Sequence, residues 1–473
     1  MTLRSRNLAA LGLMIAAAGC TQLKPGRCEK NSDCASGRCD TTTYYCMTAD
    51  GAAGAAGGAA GAAGGGGVGG AAGSGGVGGS VDASVDKPPA RCDAEAGAIS
   101  CTADKPICDA TSGKCRTCGD QPDDCKNLNP ALPACLTGGG DGGGGGVCVQ
   151  CVAMSDCGGT TPVCTPAHTC TACKADSECA GSGPHVCMAD GHCASDDQVV
   201  IVDEARGCPD GGTSNNFCTL ADGVAHLSPS RNVLIVVGGT SDRLILSTVN
   251  VKPVVIGRMN SAGDPGSIPA TSGTALTVNS DTVVIRDLTV NLGGSSTSRG
   301  IAVTGATTAA TILRVTASLG TGLGIDVENG AAVTVDESYV KSNSNGGILV
   351  NGATATIQNS VIASNGGYGV QLNNVGTATT FWFNTVVDNP VAAVCTLGAG
   401  VLLQDSIVVG PQTNCNLVNS NTSAPTFETT RAYHLTGHFP CPTAPASFPN
   451  HDLDGEPRAA TPDCGADQFM TKG

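Results

Sequence analysis

The sequence predicts an all-β fold: a right-handed parallel β-helix of about eight rungs, preceded by small disulfide-rich modules and a disordered Gly/Ala linker. Three observations predict it. Short apolar strands recur every 22 to 24 residues in the C-terminal half. Cysteine is concentrated in the N-terminal half, with twenty of the 27 between Cys28 and Cys193. Gly reaches 68, while aromatic residues are only one Trp, five Tyr and seven Phe.

The strand signal begins near residue 196. Runs such as VLIVV, TVVIRDLTV, GIAVTG, GIDVENG and GILVNG alternate apolar and polar residues, which suits strands with one buried face. Gly-apolar starts fall at Gly300, Gly324, Gly347 and Gly369, in steps of 24, 23 and 22. A second column runs Ile285, Ile312, Val335, Ile357, Trp382 and Leu403, in steps of 27, 23, 22, 25 and 21. Two columns agreeing on one period indicate a solenoid. In this register Asn359 and Asn384 form an asparagine ladder at a tight turn, where Asn tolerates left-handed backbone. Leu220, Val224 and Leu227 sit at i, i+4 and i+7, predicting a short amphipathic helix over the N-terminal end. Cys208 and Cys218 flank that helix and are expected to pair, as are Cys395 with Cys415 and Cys441 with Cys464.

The Cys-rich half divides into groups of four: Cys28–Cys46, Cys92–Cys115, Cys118–Cys148, Cys151–Cys170 and Cys173–Cys193. CEKNSDC, CVAMSDC and CKADSEC share one pattern. These groups resemble the short repeated Cys-rich modules of myxobacterial-type surface lipoproteins. Units this small cannot bury a sufficient core, so two disulfides per module are expected, with three connectivities open. The Cys115/Cys118, Cys148/Cys151 and Cys170/Cys173 pairs have zinc-ligand spacing. They read better as one module ending where the next begins. Residues 51–80, almost purely Gly and Ala, cannot fold and act as a tether.

At the N-terminus, Arg4 and Arg6 precede an apolar stretch and Ala17-Ala18-Gly19-Cys20. This resembles a bacterial lipobox, with Ala17 where the pattern usually has Leu. The resemblance implies cleavage before Cys20, acylation of that residue and, with Thr21 following, an outer-membrane lipoprotein exposed at the cell surface. Removing Cys20 leaves an even 26 Cys: five groups of four, and six in the β-helix. The organisation is thus a signal peptide (1–19), anchor and first module (20–48), linker (49–91), four tandem modules (92–195) and β-helix with caps (196–473).

The C-terminal end reads APTFETTRAYHLTG, then DLDGEPR, then PDCGADQF. It resembles the close of bacterial β-helix proteins known as choice-of-anchor Q domain proteins, related to the pectate lyase-like superfamily. The segment before Asp452 departs from that pattern by lacking an acidic turn. The resemblance implies either polysaccharide lyase or hydrolase chemistry or a non-enzymatic role.

A lyase needs a basic residue beside acids that hold calcium. Arg286, Asp336 and Lys341 are the candidates, with Arg286 and Asp336 facing outward by strand alternation. Adjacent rungs offer Gln358, Phe383 and Gln404 rather than a carboxylate cluster. No outward pair of carboxylates for a glycosidase stands out. Asp452 and Asp454 are candidate calcium ligands, with Arg458 competing for them. Trp382 is expected to point inward, leaving Phe381 and Phe383 outward as a sugar- or partner-binding pair. The net charge of −15 leaves no basic patch for nucleic acid. The functional expectation is recognition of polysaccharide or a cell-surface component by a membrane-anchored protein, without a required cofactor.

Overall fold

In the computed structural model the described residues are the strand pieces 39–40, 45–46 and 107–109, residues 114–118, and most of 125–469. The breaks in that last range fall at 127–129, 137–145, 180–183, 206–214, 248–250, 270–272, 292–298, 397–399 and 446. Cys20, the 51–80 linker, Cys208 and most of the first two four-Cys groups lie outside the described residues. The chain divides into two units, residues 1–65 with 427–436 and residues 66–426 with 437–473. In the first, Cys39–Asp40 pairs antiparallel with Tyr45–Cys46. Separately, Phe427 bridges to Leu435, and Arg431 holds Glu428 through two 2.9 Å hydrogen bonds.

The second unit holds the modules and the solenoid. Each of three modules joins its first Cys to its third and its second to its fourth. The pairs are Cys118–Cys135 and Cys125–Cys148, Cys151–Cys164 and Cys157–Cys170, and Cys173–Cys187 and Cys179–Cys193. Every Cys of the Cys148/Cys151 and Cys170/Cys173 spacings is therefore in a disulfide, which rules out zinc at these pairs. The buried Cys118, Cys125, Cys173 and Cys179 take the place of an apolar core.

From Val199 onward, parallel strands form three sheets of eleven, eight and seven strands. The seven-stranded sheet sets the count at about seven complete turns, one fewer than the spacing suggested. Inward columns hold Val, Ile and Leu in register. One runs Ile301, Ile325, Ile348 and Val370, and another Ile285, Ile312, Val335 and Ile357. All eight are fully buried. Each such side chain contributes about 1.5–3 kcal/mol on leaving water.

The second column continues through Phe381 to Leu403, not through Trp382. Phe381 and Trp382 are both apolar, so composition does not distinguish them. The indole N–H does: Trp382 lies outward, where Nε1 donates to Gln358 Oε1 at 2.8 Å, a bond it could not make inside. The left-handed turn position in this rung is accordingly Phe383, not Asn384. The asparagine ladder lies elsewhere. Asn343, Asn365 and Asn389 stack at the turn entering the eight-stranded sheet, linked by 3.0 Å Nδ2-to-Oδ1 bonds. Asn384 instead caps backbone groups between rungs, accepting from Ser360 N and donating to Ile357 O.

The predicted capping helix is present as Leu220–Ala225. Thr219 is its N-cap, its side chain accepting from Asp222 N at 3.1 Å. Leu220 and Leu227 enter the core. Gly223 is required by proximity, since a Cβ there would lie 2.6 Å from Val202 Cγ2. Cys395–Cys415 and Cys441–Cys464 pair as expected, and Cys218 is disulfide-bonded.

Candidate functional site

The three residues proposed for lyase chemistry do not converge. Arg286 clamps the last Cys module: its guanidinium spans both oxygens of Asp176 at 2.6 and 2.8 Å and reaches Cys187 O at 3.3 Å. Val186 and Ala194 of that module pack with Val199, Val233, Ile235 and Ile256. Arg258 adds bonds to Pro184 O and His185 O. The first rungs of the eleven-stranded sheet are thereby covered. Asp336 sits two rungs beyond Arg286 in the same outward column, and Lys341 lies on the seven-stranded sheet over the Tyr339 ring.

The later rungs of that sheet are covered by the C-terminal segment. Phe381 and Phe383, expected outward, are 1% and 0% exposed. Phe381 is in the core column, and Phe383 lies beneath Phe448 and the Arg458 guanidinium, the latter 4.5 Å from its ring centroid. Gly465 and Ala466 lie against Thr385 and Ile407 of the seven-stranded sheet. The calcium candidate Asp452 spends both oxygens on main-chain amides: those of Asp454 and Glu456 at 3.0 Å, and that of Gln468 at 3.1 Å. Asp452 thus anchors the turn that carries Asp454.

A charged ladder runs along the turn column. Arg314 grips Asp287 at 2.6 and 3.0 Å and meets Glu337 at 3.4 Å. From the C-terminal segment, His451 Nε2 lies 3.3 Å from Asp336 Oδ2 and 3.1 Å from Glu337 Oε1. Its Nδ1 is 2.7 Å from Asn450 Oδ1. Both ring nitrogens face acceptors, so this geometry calls for the imidazolium. The hydrogen bond to Asp336 raises the His451 pKa above its ordinary value of 6.5, against burial and Arg458. Burial would raise Asp336, but bonds from His451, Gln358 and Asn359 outweigh it and hold it low. Burial raises Glu337 despite Arg314 and His451.

A raised histidine pKa contributes stability that is complete below the unfolded value, about 6.5, and is lost as pH rises through the folded value. The unfolding midpoint is therefore expected to fall as pH rises above about 6.5, and His451→Gln should flatten that part of the profile. Identical profiles for the two proteins would remove this role.

The eight-stranded sheet presents a different surface. Its outward positions Thr277, Leu349, Gln371 and Val394 are half-buried, and Ile245 and Asn351 are exposed. Glu328, Asn351 and Asn373 stack in one row, and Leu349 and Gln371 in the next. At its centre is Asp326, outward between inward Ile325 and Val327, yet only 1% exposed. Arg299 Nη1 lies 2.6 Å from Asp326 Oδ2 and 3.5 Å from Glu328 Oε2. The shorter contact is an ion pair without hydrogen-bond alignment, and neither Asp326 oxygen has a hydrogen-bond partner. Burial pushes the Asp326 pKa up to about 6, with Arg299 opposing and Glu328 reinforcing. Burial and the Asp326 charge push Tyr368 up to about 12. This outward carboxylate pair escaped the sequence reading. Its signal was there: two acids at i and i+2 flanking a core Val, one rung after an Arg.

Residues 267–432 match a family model described as a right handed beta helix region. A solved structure titled as the crystal structure of pectate lyase Pel9A is similar over 57% of this chain and 96% of its own. The identity is 11% and the TM-score 0.33. No curated protein matches. The family match and the three-sheet geometry together establish residues 267–432 as a right-handed parallel β-helix region within a disulfide-bearing chain.

Proposed function

We propose that this chain is a bacterial outer-membrane lipoprotein, held through acylated Cys20, whose β-helix recognises polysaccharide at the cell surface without transforming it. The observation that carries this reading is the outer face of the eight-stranded sheet. Parts of the other two sheets lie under the last Cys module or the C-terminal segment. The eight-stranded sheet keeps in-register rows of Glu328, Asn351, Asn373 and Gln371 in contact with water. Rows of hydrogen-bonding side chains repeating about every 4.8 Å suit a linear polymer of polar units. The resemblance to choice-of-anchor Q domain proteins supports a surface role, and the acidic chain fits no nucleic-acid partner.

The test has two arms. Fatty-acid labelling of cells should mark the wild-type chain and not Cys20→Ala. On a glycan array, the purified chain should give hits that Gln371→Arg abolishes. Unchanged hits for that variant would move binding off this face.

A second reading, glycoside hydrolase or polysaccharide lyase, is favoured by one observation: Asp326 and Glu328 share the Arg299 Nη1, and Asp326 has its pKa lifted to about 6. Glycoside hydrolysis uses a pair of carboxyl groups, one of them an acid with a raised pKa. Release of reducing ends, or of unsaturated products with or without calcium, that disappears in Asp326→Asn would replace recognition by catalysis.

A further inference from the structure

We infer that the Asp326–Glu328 pair is the subsite at which this face takes an amino sugar, whose ammonium group replaces the Arg299 guanidinium between the two carboxylates. The inference rests on the reading of this face as a polysaccharide surface and adds the chemical class of one unit. Asp326 is a buried charge that the protein leaves poorly served. Its side chain has no exposed surface, and neither oxygen receives a hydrogen bond. A carboxylate in that state gains strongly from a donor brought to it, because charge-assisted bonds are the strong ones. The present counter-ion is loosely held. Arg299 keeps 43% of its side chain exposed and gives Asp326 no hydrogen bond, unlike the two-pronged grip that Arg314 uses on Asp287. A compact ammonium with three donors can reach both acids while Arg299 turns to solvent.

Charge selects the ligand class. Two acids face one base, so exchanging one cation for another leaves the local balance unchanged. A uronate would bring a third carboxylate into the cluster and be repelled. A neutral sugar that displaced Arg299 would leave the Asp326 charge buried without a counter-ion. The surroundings suit a ring. Tyr368 lies across Gly346, where a Cβ would come within 2.7 Å of its ring, and it is near enough to Asp326 to feel its charge. Asn351 and Asn373 continue the Glu328 row into the next two rungs, and Thr396 Oγ1 orients Asn373 through a 3.0 Å bond.

Isothermal titration of the full purified chain tests this with three probes: glucosamine oligomers, N-acetylglucosamine oligomers of the same length, and galacturonic acid oligomers. The glucosamine oligomer is expected to bind tightest. Asp326→Asn and Glu328→Gln should each weaken it roughly ten- to hundredfold, the scale of one charge-assisted bond. Arg299→Ala should bind it at least as well as wild type, because the internal competitor is gone. The half-exposed Glu328 serves if Asp326→Asn fails to fold. Equal binding of acetylated and free-amine oligomers, or preference for galacturonate, overturns the subsite while leaving the face as a glycan surface. No binding of any oligomer, together with an empty glycan array, overturns the face itself and the subsite with it.

Discussion

Arg458→Ala is expected to cost about 3–5 kcal/mol of stability, the range for removing one partner from a buried charged network. The residue is 8% exposed and holds five acceptors. Nη2 donates to Asn359 Oδ1, Gly465 O and Ala466 O, each at 2.9 Å. Nε donates to His451 O at 3.0 Å and Nη1 to Asp463 O at 3.3 Å. Burial pulls its pKa down to about 10, while Asp452, Asp467, Asp463 and Asp336 oppose the shift. It therefore stays charged at neutral pH. Truncation would orphan carbonyls in two chain segments and uncover Phe383. Arg458→Lys should recover little, because an ammonium lacks the planar fork that reaches several acceptors at once. Urea unfolding gives the magnitude, and limited proteolysis should show the 437–469 segment cut first. A loss under about 1 kcal/mol would mean that this segment is held by something other than Arg458.

Asn365→Ala is expected to cost about 3 kcal/mol or more. Asn365 is buried at the middle of the ladder. Its Oδ1 accepts from Asn343 N at 3.1 Å and Asn343 Nδ2 at 3.0 Å, and its Nδ2 donates to Val340 O and Asn389 Oδ1. Alanine removes four buried hydrogen bonds and takes from Asn343 N and Val340 O their side-chain partner, while Asn343 Nδ2 keeps Ala317 O and Asn389 Oδ1 keeps the residue 365 amide; each buried group left unpaired costs about 1–3 kcal/mol. Asn365→Asp should also destabilise. Its carboxylate can accept from Asn343 but then faces Asn389 Oδ1 and Val340 O with no proton to give, so the loss should shrink in acid. Exposed Asn351→Ala, on the same stretch of solenoid, should shift the midpoint by no more than about 0.5 kcal/mol. Equal effects at Asn351 and Asn365 would deny the ladder its structural role.

The contrast between these two asparagines shows where sequence reading reached its limit. Asn359 and Asn384 looked like ladder partners because each followed an apolar strand at a similar offset. The turn from Asn374 to Thr379 lengthens this rung from 22 to 24 residues, so Ile357 pairs with Phe381 and not with Trp382, one residue further on. One residue is enough to exchange inside for outside. That shift buried Phe381, exposed one edge of Trp382 and placed Phe383 under Arg458. The expected pair of binding aromatics was lost for this reason alone. Arg286 and Asp336 were correctly placed on an outward column. What lay over that column, a Cys module on one and His451 on the other, comes from chain 110 and 115 residues away.

By itself the sequence determined the features that depend on local pattern or on repetition. The β-helix period follows from alternating apolar residues, the N-terminal helix from an i, i+4, i+7 stripe, and the modules from groups of four Cys. The Cys395–Cys415 and Cys441–Cys464 pairs join cysteines that neighbour each other along the chain. Tertiary structure alone decided the first-to-third, second-to-fourth disulfide pattern, the register at Phe381, which parts of the solenoid are covered, and the meeting of Asp326 with Arg299. The physical reason is common to all four. Each depends on how far one rung is displaced against the next, or on a segment folding back across rungs. Turn lengths and side-chain volumes set those distances jointly, and no short window of sequence contains them.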